Sequence, residues 1–388
     1  MSKKETQGIS FFEKYLTIWV ALCMAIGILI GKFLPGIPSF LEKLEYSGQN
    51  IPIAVLIWIM IYPMMLKIDF KSIKNVGKHP AGILISSGAS WIIKPFLMFG
   101  LASLFLQVIF SSILPADLAK DFVTGAVLLG TAPCTAMVFV WSTLTKGDPA
   151  HTLVQVSVND LLILVLFVPI VQLLLGVNNV ELPLSILIFS VVLFVVVPLT
   201  GGFLSRVLII KKKGEEYFTQ KFVTKFEGVT TIGLLLTLVI IFTFQGNILL
   251  EKPLYVLLIA VPLILQNVIS ANLTYFVCKV AKLPHNIAAP ASLIAASDFF
   301  ELSVAVAIAL FGPESPVVLA CTVGVLTEVP VMLLLVKIIN KTKHWFPAAN
   351  YIAHNEMIEE TEASEVSDTI GEAEANEVTE PIEVTETK

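Results

Sequence analysis

The chain has 388 residues, a mean hydropathy of +0.86, 56% hydrophobic residues and 14% charged residues. A soluble domain carries about 25% charged residues, so a water-soluble fold is excluded and an integral membrane protein is expected. The formal charge of −5 joins two unlike parts, +6 over residues 1–354 and −11 over residues 355–388.

A helix needs about 20 apolar residues to cross a hydrocarbon core about 30 Å thick. By that measure ten spans lie near 15–34, 50–67, 81–108, 121–142, 152–175, 183–206, 228–246, 253–279, 285–311 and 316–338. Turn-prone sequences separate them, among them Leu34-Pro35-Gly36, Val177-Asn178-Asn179 and Phe311-Gly312-Pro313. The runs are continuous, without the alternation of barrel strands, so the spans are helical. The first run is too long for the apolar part of a cleavable signal, and no small-residue cleavage site follows it. With the N-terminus inside, the cytoplasmic segments hold twenty Lys and Arg residues and the outer loops four (Lys32, Lys43, Lys120 and Lys252). Basic residues favour the cytoplasmic side, so both termini are expected there, in a multi-pass protein of the plasma membrane.

Ten spans divide into two sets of five with opposite orientation, about 11–176 and 183–340. Gly130-Thr131-Ala132-Pro133-Cys134 interrupts the fourth span and Ala295-Ala296-Ser297-Asp298 the ninth, 165 residues apart from Pro133 to Asp298. Asp160 in the fifth span and Glu328 in the tenth are 168 residues apart. Inverted repeats with paired interrupted helices are a common design of secondary transporters, which place the solute between the breaks.

Inside a bilayer the informative residues are the polar ones, because burying them is costly. Asp160, Asp298, Glu301 and Glu328 all fall within spans rather than at their ends. Low-dielectric surroundings disfavour the charged form of a carboxyl, which suits a group that must pick up and release a proton. Lys94, just before Pro95 in the third span, is a candidate structural partner for one of these acids. Four cysteines (Cys23, Cys134, Cys278 and Cys321) sit in apolar stretches with no CxxC pair, so neither a disulfide framework nor a metal site is expected. Three read as small hydrophobes. Cys134 differs because it follows Pro133, which lacks an N–H, and has Gly125, Gly130, Thr131 and Thr135 around it. Irregular backbone at membrane depth is tolerated only where it is buried in protein or lines a water-filled cavity, so this thiol is placed to meet a soft, thiophilic solute. Cys321, seven residues before Glu328 and on the same helix face, is an outside candidate. No phosphate-binding G-x-x-x-x-G-K-[ST] run and no H-E-x-x-H pair occurs, so neither an ATPase nor an intramembrane metalloprotease is supported. Lys146-Gly147-Asp148 reads as a tight connection, and no enzymatic constellation or cofactor site is found.

The run from Gly130 to Ser142, continued by Lys146-Gly147-Asp148-Pro149-Ala150, resembles the hallmark of the Acr3 arsenite efflux permeases, part of the bile acid/arsenite/riboflavin transporter superfamily. Further matches are Tyr62 through Asp69, Trp91 with Lys94-Pro95-Phe96, Phe299-Phe300-Glu301-Leu302, and Gly324 through Met332. Together they cover about residues 11–340. The resemblance implies ten helices in two inverted five-helix repeats, a core and a panel domain, broken and crossing helices four and nine, and export of trivalent arsenite in exchange for protons. It places the family's essential cysteine on Cys134 and its essential membrane glutamate on Glu328. Thr131, Thr135 and Ser297 are expected to line the solute site with Cys134. Glu301 and Asp298 are expected to join Glu328 in proton coupling, while Gly130 and Pro133 shape the break. Two positions depart from the family pattern: Asp298, where Asn is usual, and Thr327, where Val is common. Asp298 leaves the proton or cation stoichiometry open.

A sodium-coupled organic-anion symporter of the same superfamily, holding Na⁺ with Asp298 and Glu301, is the competing carrier. A membrane sensor with an acidic recruiting tail is a competitor of another class. Arsenite, protons and the lipid bilayer are the expected partners, with no nucleic acid; a homo-oligomer or an arsenical-resistance partner stays open. The tail from Asn355 onward, twelve acids against Lys388 with no long apolar run, reads as a solvated extension.

Overall fold

A computed structural model describes residues 16–46, 49–68, 80–134, 137–178, 180 and 182–347. The acidic tail and Thr135 lie outside the described residues. Twelve main helices follow in chain order. They are α1 (Leu16–Phe33), α2 (Ile51–Lys67), α3 (Pro80–Ile109), α4 (Ala116–Thr131), α5 (Val138–Leu144) and α6 (Pro149–Val177). Then come α7 (Leu184–Lys213), α8 (Glu227–Glu251), α9 (Leu254–Val280), α10 (His285–Ala296), α11 (Phe300–Phe311) and α12 (Pro316–Lys341). The described strands are two residues each, Glu45–Tyr46 paired with Gln49–Asn50. The protein is an all-α, multi-pass membrane protein. Six helical stretches are long and apolar enough to cross a bilayer, and α1, α2 and α11 contain shorter apolar runs. Leu84, Ile92, Val165, Leu257 and Phe276 are exposed, as side chains facing lipid tails would be.

The helix ends follow from local chemistry. Asp148 accepts from the His151 N–H at 2.9 Å and starts α6, with Pro149 in the first turn. Ser315 accepts from the Val317 N–H at 3.2 Å before Pro316 and α12. Both pair a capping oxygen with a proline whose missing N–H is harmless there. The Lys146-Gly147-Asp148 connection is tight, as expected. Its left-handed residue, however, is Lys146 at φ 56°, not the glycine. A Cβ on Gly147 would run into the Ser142 hydroxyl, so glycine is needed for room.

Proline also shapes the long helices. In α3 the turn Ala89–Ile93 is widened, and the Lys94 N–H donates to Ala89 O five residues back. Pro95 follows at once, and its ring and missing N–H disfavour a regular turn. The same widening over Val192–Val196 precedes Pro198 in α7.

Packing sorts the helices into two groups. In one, α8 packs on α1 and α2, and α2 on α7. In the other, α4 packs on α12 and α3, and α9 on α10, α12 and α3. The groups meet where α12 touches α1 and where α11 touches α7 and α2. The α4–α12 contact is built on small residues: a Cβ on Gly125 would strike the Val317 carbonyl, and one on Gly324 the Leu129 side chain. Here the Cys321 thiol donates to Gly125 O at 3.2 Å. Replacing Gly125 with Val is expected to lower the melting temperature of the purified protein by several degrees, since overpacking of this kind costs about 1–3 kcal/mol. An unchanged melting temperature would mean that the two helices do not meet there.

Candidate functional site

The site forms where two helices stop. Helix α4 ends at Thr131 and the chain turns extended at Ala132, φ −95° and ψ 115°, ahead of Pro133. Helix α10 ends at Ala296 and turns extended at Ser297, φ −79° and ψ 150°. Extended backbone leaves carbonyls and N–H groups without helical partners, and burial demands that they find others. They find each other. The Phe299 N–H donates to Ala132 O at 2.9 Å and the Cys134 N–H to Ser297 O at 3.3 Å, so Pro133 and Asp298 face each other across an antiparallel bridge. The two interruptions expected from the sequence are thus one structure.

Lys94 completes it. Its Nζ donates to Ser297 O at 2.6 Å and Ala132 O at 3.3 Å, and forms an ion pair with Asp298 Oδ1 at 2.6 Å. Its side chain is 0% exposed and that of Asp298 2%. Removing one member of so buried a pair costs about 3–5 kcal/mol, because the other charge stays behind. Gly130 lets α3 come close enough to deliver the ammonium: a Cβ there would lie 2.6 Å from Met98 Cγ, one turn beyond Lys94.

Glu328 reaches the same place from the middle of α12. Its Oε1 accepts from the Asp298 N–H at 3.2 Å and from the Ser297 hydroxyl in a very short hydrogen bond. Cys134, 4% exposed, packs with Val138, Val156 and Ile294, flanked by Met137 and Phe139. The Cys134 N–H donates to the Ser297 carbonyl, and the Ser297 hydroxyl donates to Glu328, so one serine links the cysteine to the carboxyl. Glu301 is half-buried in the first turn of α11. Cys134, Ser297, Asp298 and Glu328 are therefore joined through hydrogen bonds at the paired breaks. Thr131 is buried beside them, but its hydroxyl donates to Val127 O at 2.7 Å within its own helix. Among the described residues no group of three or more His, Cys, Asp or Glu side chains could hold a metal ion.

Polar residues outside the expected set also line this half of the protein. The Trp91 indole N–H donates to Asn159 Oδ1 at 3.1 Å. Buried polar atoms without a hydrogen-bond partner include the hydroxyls of Ser86 and Ser90 on α3, Asp160 Oδ1 and Asn159 Nδ2 on α6, and Asn267 Oδ1 on α9. Helix α3 packs on both α6 and α9. Such atoms at membrane depth call for water or a solute. Of these, Asp160 stood out in the sequence as an intramembrane acid, whereas the others are neutral amides and hydroxyls within apolar runs, and that was their only signal.

The chain is similar to known membrane proteins along most of its length. Residues 54–252 match the Sodium Bile acid symporter family. The "Arsenical-resistance protein Acr3" of Alkaliphilus metalliredigens is 57% identical, over 88% of this chain and 96% of that protein. A second "Arsenical-resistance protein Acr3", from Corynebacterium glutamicum, is 33% identical over 84% of this chain and 88% of its own. An "Uncharacterized transporter" of Synechocystis is 42% identical over 87% and 91%.

Proposed function

Because the chain belongs to the Acr3 arsenical-resistance family, within the Sodium Bile acid symporter family of carriers, we propose that it exports arsenite from the cytoplasm in exchange for protons. It is a secondary transporter and not an enzyme. The observation that carries the proposal is the position of Cys134 at the paired helix breaks, its N–H donating to the carbonyl of Ser297, whose hydroxyl in turn donates to Glu328.

Arsenous acid is small, neutral, hydroxyl-rich and thiophilic. When the Cys134 thiol binds it, an S–As bond forms and one hydroxyl leaves with the thiol proton as water; water reverses the step. One thiol with hydrogen-bonding neighbours holds the solute reversibly, whereas a cage of three thiolates would hold it too tightly to turn over. The four cysteines are dispersed, which supports single-thiol binding. Ser297 supplies a hydroxyl at the break, and the unpartnered polar atoms along α3, α6 and α9 support a hydrated approach to the thiol.

Glu328 exchanges the solute for a proton. Its ionised carboxylate accepts two hydrogen bonds from the second break, and hydrogen bonds to a charged acceptor are about twice as strong as neutral ones. Protonation weakens that anchor and favours one orientation of the core; rebinding of arsenite favours the other. Glu301 is the second acid proposed to share in proton coupling, while Asp298 is held in its ion pair with Lys94. The paired breaks support a ten-helix design with two inverted repeats, about 11–176 and 183–340. The excess of basic residues in alternate connections supports cytoplasmic termini in the plasma membrane.

The direct test is arsenite uptake into everted membrane vesicles. Uptake is expected to follow an inside-acid pH gradient and to be the same with and without Na⁺. Uptake that ignores the pH gradient and requires Na⁺ would overturn proton exchange in favour of sodium coupling. No labelled-arsenite counterflow at all would leave no carrier of arsenite.

A further inference from the structure

The surroundings of the Lys94 ammonium are those of a cation-binding site. Ala132 and Ser297 are the residues at which α4 and α10 end, so two helix C-termini, each the negative end of its dipole, point at one spot. Each of these carbonyls already accepts one backbone N–H, from Phe299 and Cys134 respectively, and keeps a second lone pair for a cation. Asp298 adds a formal negative charge. Two main-chain carbonyls and a carboxylate are the all-oxygen ligands that hard cations take, and unwound backbone at half-helix C-termini is where transporters coordinate Na⁺. The spot is occupied, however, by a side chain from a third helix, with its nitrogen 2.6 to 3.3 Å from the three oxygens.

We propose that the Lys94 ammonium is a tethered substitute for a free cation: it fills a built cation site at the crossing of the two breaks, and so makes the crossing independent of Na⁺. A dissociable ion would have to bind before the breaks could be held together, and its binding would couple transport to its gradient. An ammonium fixed to α3 holds Ala132, Ser297 and Asp298 together at every stage. It also neutralises Asp298 permanently, which leaves Glu328, held by the Asp298 N–H and the Ser297 hydroxyl, as the acid at the crossing that can change its charge. The widened turn over Ala89–Ile93 and the close approach at Gly130 are the local features that bring the ammonium to this position.

The proposal concerns a cation site in the protein itself and does not depend on which solute is carried, so it is tested without arsenite. Full-length Lys94→Ala protein is compared with the parent by thermal unfolding in NaCl and in N-methylglucamine chloride of equal ionic strength. The parent is expected to melt at one temperature in both. The variant is expected to be destabilised in N-methylglucamine and to recover several degrees in Na⁺, because an ion that binds only the folded state stabilises it by mass action. The double variant Lys94→Ala with Asp298→Asn, which lacks the carboxylate ligand, is expected to lose most of that Na⁺ response. A variant that melts alike in both salts, or that can be purified in neither, overturns the proposal, since Na⁺ would then be failing to take the vacated place. A parent protein that gains as much from Na⁺ as the variant overturns it too. Retention of the full response in the double variant would place the ion elsewhere.

Discussion

Glu328→Gln is expected to abolish proton-driven accumulation of arsenite while sparing arsenite–arsenite exchange. The substitution is close to isosteric. The amide oxygen still accepts from the Asp298 N–H and the Ser297 hydroxyl, so the second break keeps its anchor, although a weaker one. What disappears is the ability to bind and release a proton. With the membrane potential collapsed, a gradient of one pH unit supplies about 1.4 kcal/mol per proton, enough for about a tenfold accumulation if one proton moves per arsenite. Everted vesicles containing the parent protein are therefore expected to concentrate arsenite about tenfold per proton exchanged, per pH unit. Vesicles with the variant should only equilibrate it. Labelled arsenite should still exchange across the variant, because that exchange needs no net proton movement. If Glu328→Gln retained the full proton-driven accumulation, Glu328 would not be the proton carrier. If both accumulation and exchange vanished while the protein stayed folded, its role would be in binding the solute.

Ion pairing explains why Glu328, rather than Asp298, is expected to carry that proton. Asp298 shares its carboxylate with an ammonium 2.6 Å away, and neutralising it would strand the buried charge on Lys94. Glu328 is held by a hydroxyl and a backbone N–H, both neutral, so its protonation strands no charge. Asp298 is thus bound into the scaffold by the lysine that meets it.

The helices were legible in the sequence because a span is a local property: an apolar run of sufficient length, ended by proline, glycine or an amide, reads as helix wherever it lies. The breaks were legible for the same reason, since Pro133 and the polar stretch around Ser297 cannot continue an apolar helix undisturbed. What the breaks do to each other was not legible. The bond from Lys94 to Ser297 O joins residues 203 positions apart, and no local pattern chooses among Asp160, Asp298, Glu301 and Glu328 as the lysine's partner. The widened turn before Lys94 was hidden too, since Pro95 announces a disturbance but not its form. Thr131 illustrates a further limit. A threonine in a polar break looks available to a solute, yet its hydroxyl can bond back to the carbonyl four residues earlier, and here it does so with Val127. Cys321 shares a helix with Glu328, but its thiol points to Gly125 at a helix contact.

In the proposed mechanism Cys134 is where the chemistry of the solute and that of the protein meet, and its replacement is expected to have the second large effect. In Cys134→Ala the packing changes little, because the thiol sits in a small cluster with Val138, Val156 and Ile294, and only a sulfur atom is lost. The S–As bond is lost completely. Cys134→Ser restores a polar atom at the same place, but oxygen offers As(III) no advantage over the hydroxyls it already carries. Both variants are therefore expected to raise the KM for arsenite by at least about tenfold, which corresponds to about 1.4 kcal/mol of lost binding. Cys321→Ala, which removes a buried thiol engaged with Gly125, is expected to leave that KM unchanged. A second measurement reads binding without transport: arsenite should slow the modification of Cys134 by a small thiol reagent, and should leave the rate at Cys23 unaffected. Normal arsenite transport by folded Cys134→Ala protein, with no protection of the thiol in the parent, would remove Cys134 from the path. The paired breaks would then offer the solute only hydroxyl and carboxyl groups, and the preference for a thiophilic metalloid would need another source.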